Sequence, residues 1–290
     1  MKIALVTYEY KASQDSSNLT HEDDSLISYL QEKDFTIDKV IWNDAEVIWE
    51  NYDLVVLKSP WDYFNLIDKF YAWLNDLQNR KITLLNPIEI VKWNANKNYL
   101  SDIDAQGLKI APCLFLKTGE KVELEQYFKK LGVEKLIVKP VVSGGSKNTF
   151  KVTLTNLEEV NVKLNKLLEN EEFIVQPFLE EVERNGEWSF IFFGGKFSHA
   201  LIKKAKAGDF RVQHSHGGTI HPQTPSIELI ETAKEYVDHF AKDCLYARVD
   251  GVFVNDEFLL MELELIEPYL FLDTDSKSLE NYHKALSTFI

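Results

Sequence analysis

The first 87 residues alternate short aliphatic runs with stretches of helical period, and this rhythm restricts them to a parallel sheet flanked by helices. Residues 3–6, 38–42, 53–57 and 82–85 are β-branched or aliphatic runs of strand length. Between them, 25–33 and 66–78 set Leu26, Tyr29 and Leu30, then Phe70, Trp73, Leu74 and Leu77, at helical spacing. Strands separated by helices pair in parallel, because the crossover needs the length that a helix supplies. Asn86-Pro87 punctuates the end of this N-terminal αβ unit, 1–87.

A helix through Lys97 and Leu100, ended by Gly107, opens a second unit, 88–171. Strands follow from Pro112, over 136–138 and over 150–154, and then an amphipathic helix over 156–168 with Leu157, Val160, Leu164, Leu167 and Leu168 on one side. The third unit, 172–290, is richer in strands, at 173–175, 188–193, 196–202, 247–254 and 258–264, with one helix over 227–242. The fold class expected is α/β followed by α+β. A chain of 290 residues suits such a division into modest units.

The formal charge of −14 argues against broad nucleic-acid binding, which needs a basic face. It does not exclude a polyphosphate ligand, provided the few cations are concentrated at one place. Cys113 and Cys244 stand far apart, outside disulfide-framework or zinc spacing. The N-terminus opens directly on a strand, and no run approaches the roughly 20 apolar residues that span a bilayer. The expectation is a cytoplasmic protein with no membrane or nucleic-acid partner.

Five sets of residues carry candidate chemistry. Val138-Lys139-Pro140 leads into Ser143-Gly144-Gly145-Ser146, so a strand delivers a lysine beside a loop whose backbone can approach phosphate oxygens. The loop is not a Walker A motif, and a plain glycine-rich hairpin is the alternative. Glu172-Phe173-Ile174-Val175-Gln176-Pro177-Phe178-Leu179 brings a buried strand out into a polar segment. There Gln176 and backbone groups can meet an adenine edge, and a later carboxylate such as Glu183 or Glu187 can meet ribose hydroxyls. A solvated acidic loop is the competing reading.

Arg248 and Asp250 share one strand face, Glu262 and Glu264 another, and the turn at Asn255-Asp256 makes them a hairpin. Three converging carboxylates suit Mg2+ held jointly with phosphate oxygens, or else form a polar face crossed by salt bridges. Lys203-Lys204-Ala205-Lys206 runs on to Arg211, His214, His216 and Gly217-Gly218. Arg211 can stabilise a transferring phosphoryl group and the glycines can leave room for a substrate; a solvated basic loop is the alternative. Finally, Tyr8 and Ser59-Pro60-Trp61-Asp62-Tyr63 follow the first and third strands, where parallel sheets bind ligands. Aromatic surface with a carboxylate suits a small ammonium-bearing substrate, unless Trp61 and Tyr63 only pack the edge of the unit.

In order and spacing, Lys97, Lys139 with its glycine loop, Gln176 to Leu179, Glu187, Arg211, and Asp250 with Glu262 and Glu264 resemble the ATP-grasp superfamily. Ser59-Pro60-Trp61-Asp62-Tyr63, Trp93-Asn94-Ala95-Asn96-Lys97-Asn98-Tyr99-Leu100, Gly208-Asp209-Phe210-Arg211-Val212-Gln213 and Glu262-Leu263-Glu264-Leu265-Ile266-Glu267-Pro268 look like its glutathione-synthetase-like branch. Within it they are most similar to the group of the D-cycloserine-pathway cyclo-ligase.

The resemblance, which covers about the whole chain, implies an ATP-grasp fold: an N-terminal αβ domain, then a small lobe (88–171) and a large lobe (172–290) enclosing ATP. It implies Lys97, Lys139, Gly144, Gly145, Ser146, Gln176, Phe178, Leu179 and Glu187 around ATP, and Asp250, Glu262 and Glu264 on Mg2+ or Mn2+. Arg211 and Lys203 would be catalytic, with Tyr8, Trp61, Asp62, His216, Gly217, Gly218 and Arg248 on the substrate. Many ATP-grasp enzymes carry Asn where Glu264 stands. The activity implied is an ADP-forming carboxylate–amine ligase acting on small molecules, with a homodimer as one assembly. A small-molecule kinase and a non-catalytic ATP-binding module are the alternatives.

Overall fold

The computed structural model describes residues 1–9, 17–206, 209, 211, 212 and 217–290, the side chains of 17–20 aside. The N-terminal unit holds β1 (Lys2–Thr7), α1 (Ser17–Gln31), β2 (Thr36–Ile41), β3 (Leu54–Ser59), α2 (Ile67–Asn79) and β4 (Leu84–Leu85). Its sheet is parallel in the order β2-β1-β3-β4, as the alternation requires. Leu26, Leu30, Phe70, Leu74 and Leu77 are buried against it. The strand expected over 82–85 is reduced to β4, because only Leu84 and Leu85 find partners, Val55 and Val56.

The single helix expected through Lys97 is two, α3 (Ile88–Asn94) and α4 (Tyr99–Ala105), with Lys97 in the turn between them. The turn forms because nearby groups are committed elsewhere. The Lys97 amide donates to the Val141 carbonyl at 2.8 Å, and the buried Asn94 amide bonds the backbone of Leu263 and Leu265. Then come β5 (Leu114–Leu116), α5 (Glu125–Leu131), β6 (Leu136–Pro140), β7 (Phe150–Val152), α6 (Leu157–Leu167) and β8 (Phe173–Pro177). They build an antiparallel sheet in the order β5-β8-β6-β7. β8 sits in the middle of it, so the expected division at 171/172 falls inside this lobe's own sheet.

The last lobe contains α7 (Glu180–Asn185), β9 (Glu187–Phe193), β10 (Lys196–Lys204), β11 (Thr219–Gln223), α8 (Ile227–Phe240), β12 (Tyr246–Val254), β13 (Glu257–Glu264) and α9 (Ser278–Leu286). Its antiparallel sheet runs β11-β10-β9-β12-β13. One face of the N-terminal sheet packs onto this lobe, since Ile3, Leu5, Leu26 and Val56 share a core with Phe193, Leu201, Leu245 and Tyr282. A buried ionic knot fixes the same contact. Lys58, at the end of β3, pairs with Glu22 at 2.8 Å and Asp23 at 3.2 Å, and Glu22 also accepts the amides of Leu270 and Leu272. Among the described residues no helix is long and apolar enough to cross a membrane.

Candidate active site

A cavity of about 1570 Å3 opens where the three sheets meet. β6 buries Leu136 and Val138 in its lobe and turns Ile137 and Lys139 to the cavity, the alternation expected of a half-buried strand. Lys139 forms no ion pair or hydrogen bond among the described residues, and burial pulls its ammonium below the usual range. Beyond it Gly144, Gly145 and Ser146 line the wall. A Cβ at Gly144 would collide with the Phe64 ring, so only glycine lets this loop lie so close to the N-terminal unit. Lys97 crosses beneath the loop, donating to the Ser143 carbonyl and pairing with Glu262, both at 3.0 Å.

Gln176, Phe178 and Leu179 form the adjoining wall. Gln176 is buried and its Nε2 has no partner, so a donor points into the protein without an acceptor. Phe178 packs beneath the Lys151 ammonium, 3.8 Å from its ring centroid. All three, expected from the sequence to contact a nucleotide, line the cavity.

The β12–β13 ladder sets Arg248 opposite Glu264 and Asp250 opposite Glu262, through a one-residue register shift between Asp250 and Gly251. The expected three-carboxylate metal set does not assemble: among the described residues no three His, Cys, Asp or Glu side chains are grouped to hold a metal ion. Asp250 is withdrawn from it. Its oxygens are held by Arg248 at 2.8–3.1 Å, by Lys203 at 3.0 Å and by the Ser189 hydroxyl at 2.6 Å. Burial opposes its charge, yet Arg248 and Lys203 keep it well below the ordinary carboxylate range. Arg248 also reaches Glu264 and the Tyr269 carbonyl, and Lys203 reaches Glu187 at 2.6 Å.

Glu262 and Glu264 remain side by side in the cavity wall. Burial, with the charges of Asp250 and Glu262, pushes Glu264 up to about 7 even beside Arg248. Glu262 pairs with Lys97 and Glu264 with Arg248, so each keeps one cation beside it. Mg2+ typically takes one or two carboxylates and fills its octahedron with phosphate oxygens and water, and two glutamates in the wall of a cavity shared with a glycine loop fit it.

Of the residues expected at a substrate, Tyr8 and Trp61 line the cavity, their rings meeting edge-on at 5.9 Å. Asp62 does not. It accepts the Trp42 indole N–H at 2.7 Å, turned towards the N-terminal core. Gly217 and Gly218 also lie outside the cavity wall, and His216 falls outside the described residues. Arg211 lines the cavity, with bonds of 3.0 and 2.8 Å to Asp209. Glu267, Tyr269 and Phe271 complete this wall. They lie within or just past the Glu-Leu-Glu-Leu-Ile-Glu-Pro run, whose third acidic residue was the available signal.

Residues 3–86 match the family profile described as D-cycloserine synthetase DcsG, N-terminal domain, and residues 110–268 match prokaryotic glutathione synthetase, ATP-grasp domain. A curated relative, the cycloserine biosynthesis protein DcsG of Streptomyces lavendulae, is 28% identical over 265 residues, 85% of this chain and 86% of the relative. The crystal structure of D-cycloserine synthetase DcsG superposes with a TM-score of 0.84 at 24% identity, covering 100% of this chain and 99% of that one. D-alanine–D-alanine ligase from Bacillus anthracis, complexed with ATP, superposes with a TM-score of 0.73 at 16% identity, covering 100% and 98%. With its ATP-grasp profile spanning more than half of its length, the chain belongs to the ATP-grasp ligases of the prokaryotic glutathione synthetase type.

Proposed function

We propose that the chain is a carboxylate–amine ligase, or an intramolecular cyclo-ligase, for a small amino acid or peptide-like substrate, working through an acyl phosphate. The observation that carries this reading is the cavity. At about 1570 Å3 it exceeds the roughly 300–1000 Å3 of a single-ligand pocket, so a nucleotide leaves room for a second molecule. The similarity to DcsG supports an amino-acid-like substrate.

Lys139, Lys97 and the Gly144-Gly145-Ser146 loop take the phosphates, Gln176, Phe178 and Leu179 the adenine, and Glu187 the ribose. A substrate carboxylate oxygen attacks the γ-phosphorus, the bond to the β,γ-bridging oxygen breaks, and ADP leaves. Arg211 and Lys203 offset the charge of the transferring group. The amine then adds to the acyl carbon, the carbon–oxygen bond to phosphate breaks, and the nitrogen releases a proton. Arg248 orients the acid, and the closed glycine loop keeps water from the acyl phosphate. Glu262 and Glu264 would hold Mg2+, with Mn2+ as a substitute, and the bound ion would supply charge neutralisation at the phosphates. We place the protein in the cytoplasm, acting on small molecules alone.

The test is a screen of amino acids and dipeptides scored for ADP and free phosphate. Formation of both, dependent on an added amine or on an amine within the acid, is the expected result. ADP with a stable phosphorylated product and no free phosphate would make the protein a kinase. No ADP with any pair would make it a binding module. In the same assay system, calorimetry should show Lys139→Ala losing roughly ten- to a hundredfold in ATP affinity, the worth of one charge-assisted phosphate contact. Unchanged affinity would remove Lys139 from the nucleotide site.

A further inference from the structure

The charged groups of the cavity wall neutralise one another almost completely, and the exceptions differ in sign. Among the described residues Lys97, Lys203, Arg211 and Arg248 each hold a carboxylate, and Glu187, Asp250, Glu262 and Glu264 each hold a cation. Leaving aside the exposed Asp273, two charged groups of the wall have no such partner: Lys139 and Glu267. Lys139 stands by the glycine loop, where phosphate belongs. Glu267 lies three residues past the end of β13, with its side chain half-buried.

The surroundings of Glu267 are built. Its carbonyl accepts the Trp61 indole N–H at 2.9 Å, and Trp61 in turn meets Tyr8 edge-on. Two aromatic rings from the N-terminal unit are thereby fixed beside an acidic residue of the last lobe, and all three line the cavity. We infer that Glu267, with Trp61 and Tyr8, is the subsite for a primary ammonium group on the substrate, an assignment that rests on the ligase reading above. A carboxylate supplies the counter-charge and two hydrogen-bond acceptors, and the rings add cation–π attraction. Burial, and then the charge of Glu264, push the Glu267 carboxyl well above its ordinary range against the pull of Lys97 and Arg248, and a cationic guest would favour its charged form. This is the role that the sequence suggested for Asp62, which the structure instead commits to Trp42.

The experiment titrates the full chain, saturated with AMPPNP and Mg2+, with D- and L-alanine and D- and L-serine. Propionate and 3-hydroxypropionate serve as the same acids without the amino group. At least one amino acid should bind roughly ten- to a hundredfold more tightly than its counterpart. Glu267→Gln should abolish that preference and leave AMPPNP affinity within about twofold of wild type. Glu267→Asp, which keeps the charge but draws it back by one methylene, should retain part of the preference and serves if the Gln variant does not fold. No preference in the wild type, or a preference that survives both substitutions, overturns the assignment. Equal loss of AMPPNP and amino acid in Glu267→Gln would move Glu267 into the nucleotide site and also overturn it. Failure of the wild type to bind AMPPNP would sink the ligase reading itself, a separate result.

Discussion

Replacing Glu262 with Gln is expected to lower kcat for ADP formation on the order of a hundred- to a thousandfold, the scale of losing one preorganised charged group at a reacting centre. The amide keeps the shape and removes the charge. Lys97, now 3.0 Å from Glu262, loses its counter-ion, and the same lysine anchors the Ser143 carbonyl at the base of the glycine loop. The Glu262–Glu264 pair keeps one carboxyl group, so a divalent ion bound there would be held more weakly. The fold should survive, because the β12–β13 ladder is backbone-paired and Val249 and Leu263 are buried independently of the cavity face. The assay is ADP release across a Mg2+ titration, with circular dichroism as the control for folding. Near wild-type kcat at saturating Mg2+ would remove Glu262 from the metal site.

The pairing of β12 with β13 was legible because the turn that joins them is local. Alternation gives the face of each strand and Asn255 and Asp256, both at positive φ, make the tight turn, but a one-residue register shift between Asp250 and Gly251 is what sets Asp250 opposite Glu262. Lys139 was legible for a local reason too, as the cavity-facing residue at the end of an alternating strand. The structure departs from the sequence reading where a distant partner decides. Asp62 has a substrate-like neighbourhood in the sequence, but Trp42, 20 residues earlier, claims its carboxylate. Asp250 looks like a free ligand until Lys203, 47 residues away, and Ser189, 61 away, are brought beside it by the sheet order β10-β9-β12. The helix break at Lys97 depends on Val141, and the place of β8 depends on antiparallel pairing with β5 and β6. None of these leaves a periodic trace. Glu267 was visible within the acidic motif, but its lack of a partner is a property of the assembled wall alone.

Lys58→Met is expected to cost about 3–5 kcal/mol of folding stability, the range for breaking a buried ion pair from one side. The Lys58 and Glu22 side chains are each 1% exposed and Asp23 is 3% exposed, so no water can take over the lost charge. Methionine replaces the volume of the lysine stem but leaves two carboxylates facing one another. Glu22 cannot turn away without releasing the Leu270 and Leu272 amides, and Asp23 is tied to the Ser59 hydroxyl at 2.5 Å. The strain therefore reaches residues 270–272, whose Phe271 and Leu272 line the cavity. Two consequences separate this account from simple loss of packing. Urea denaturation of Lys58→Met/Glu22→Gln/Asp23→Asn should recover much of the stability lost by the single variant, because neutral, hydrogen-bonded amides no longer need a cation. The single variant should also bind amino acids more weakly than the triple one, as the C-terminal wall of the cavity loosens. A Lys58→Met protein within about 1 kcal/mol of wild type, the worth of an exposed pair, would mean that the knot is hydrated and contributes little to joining the two units.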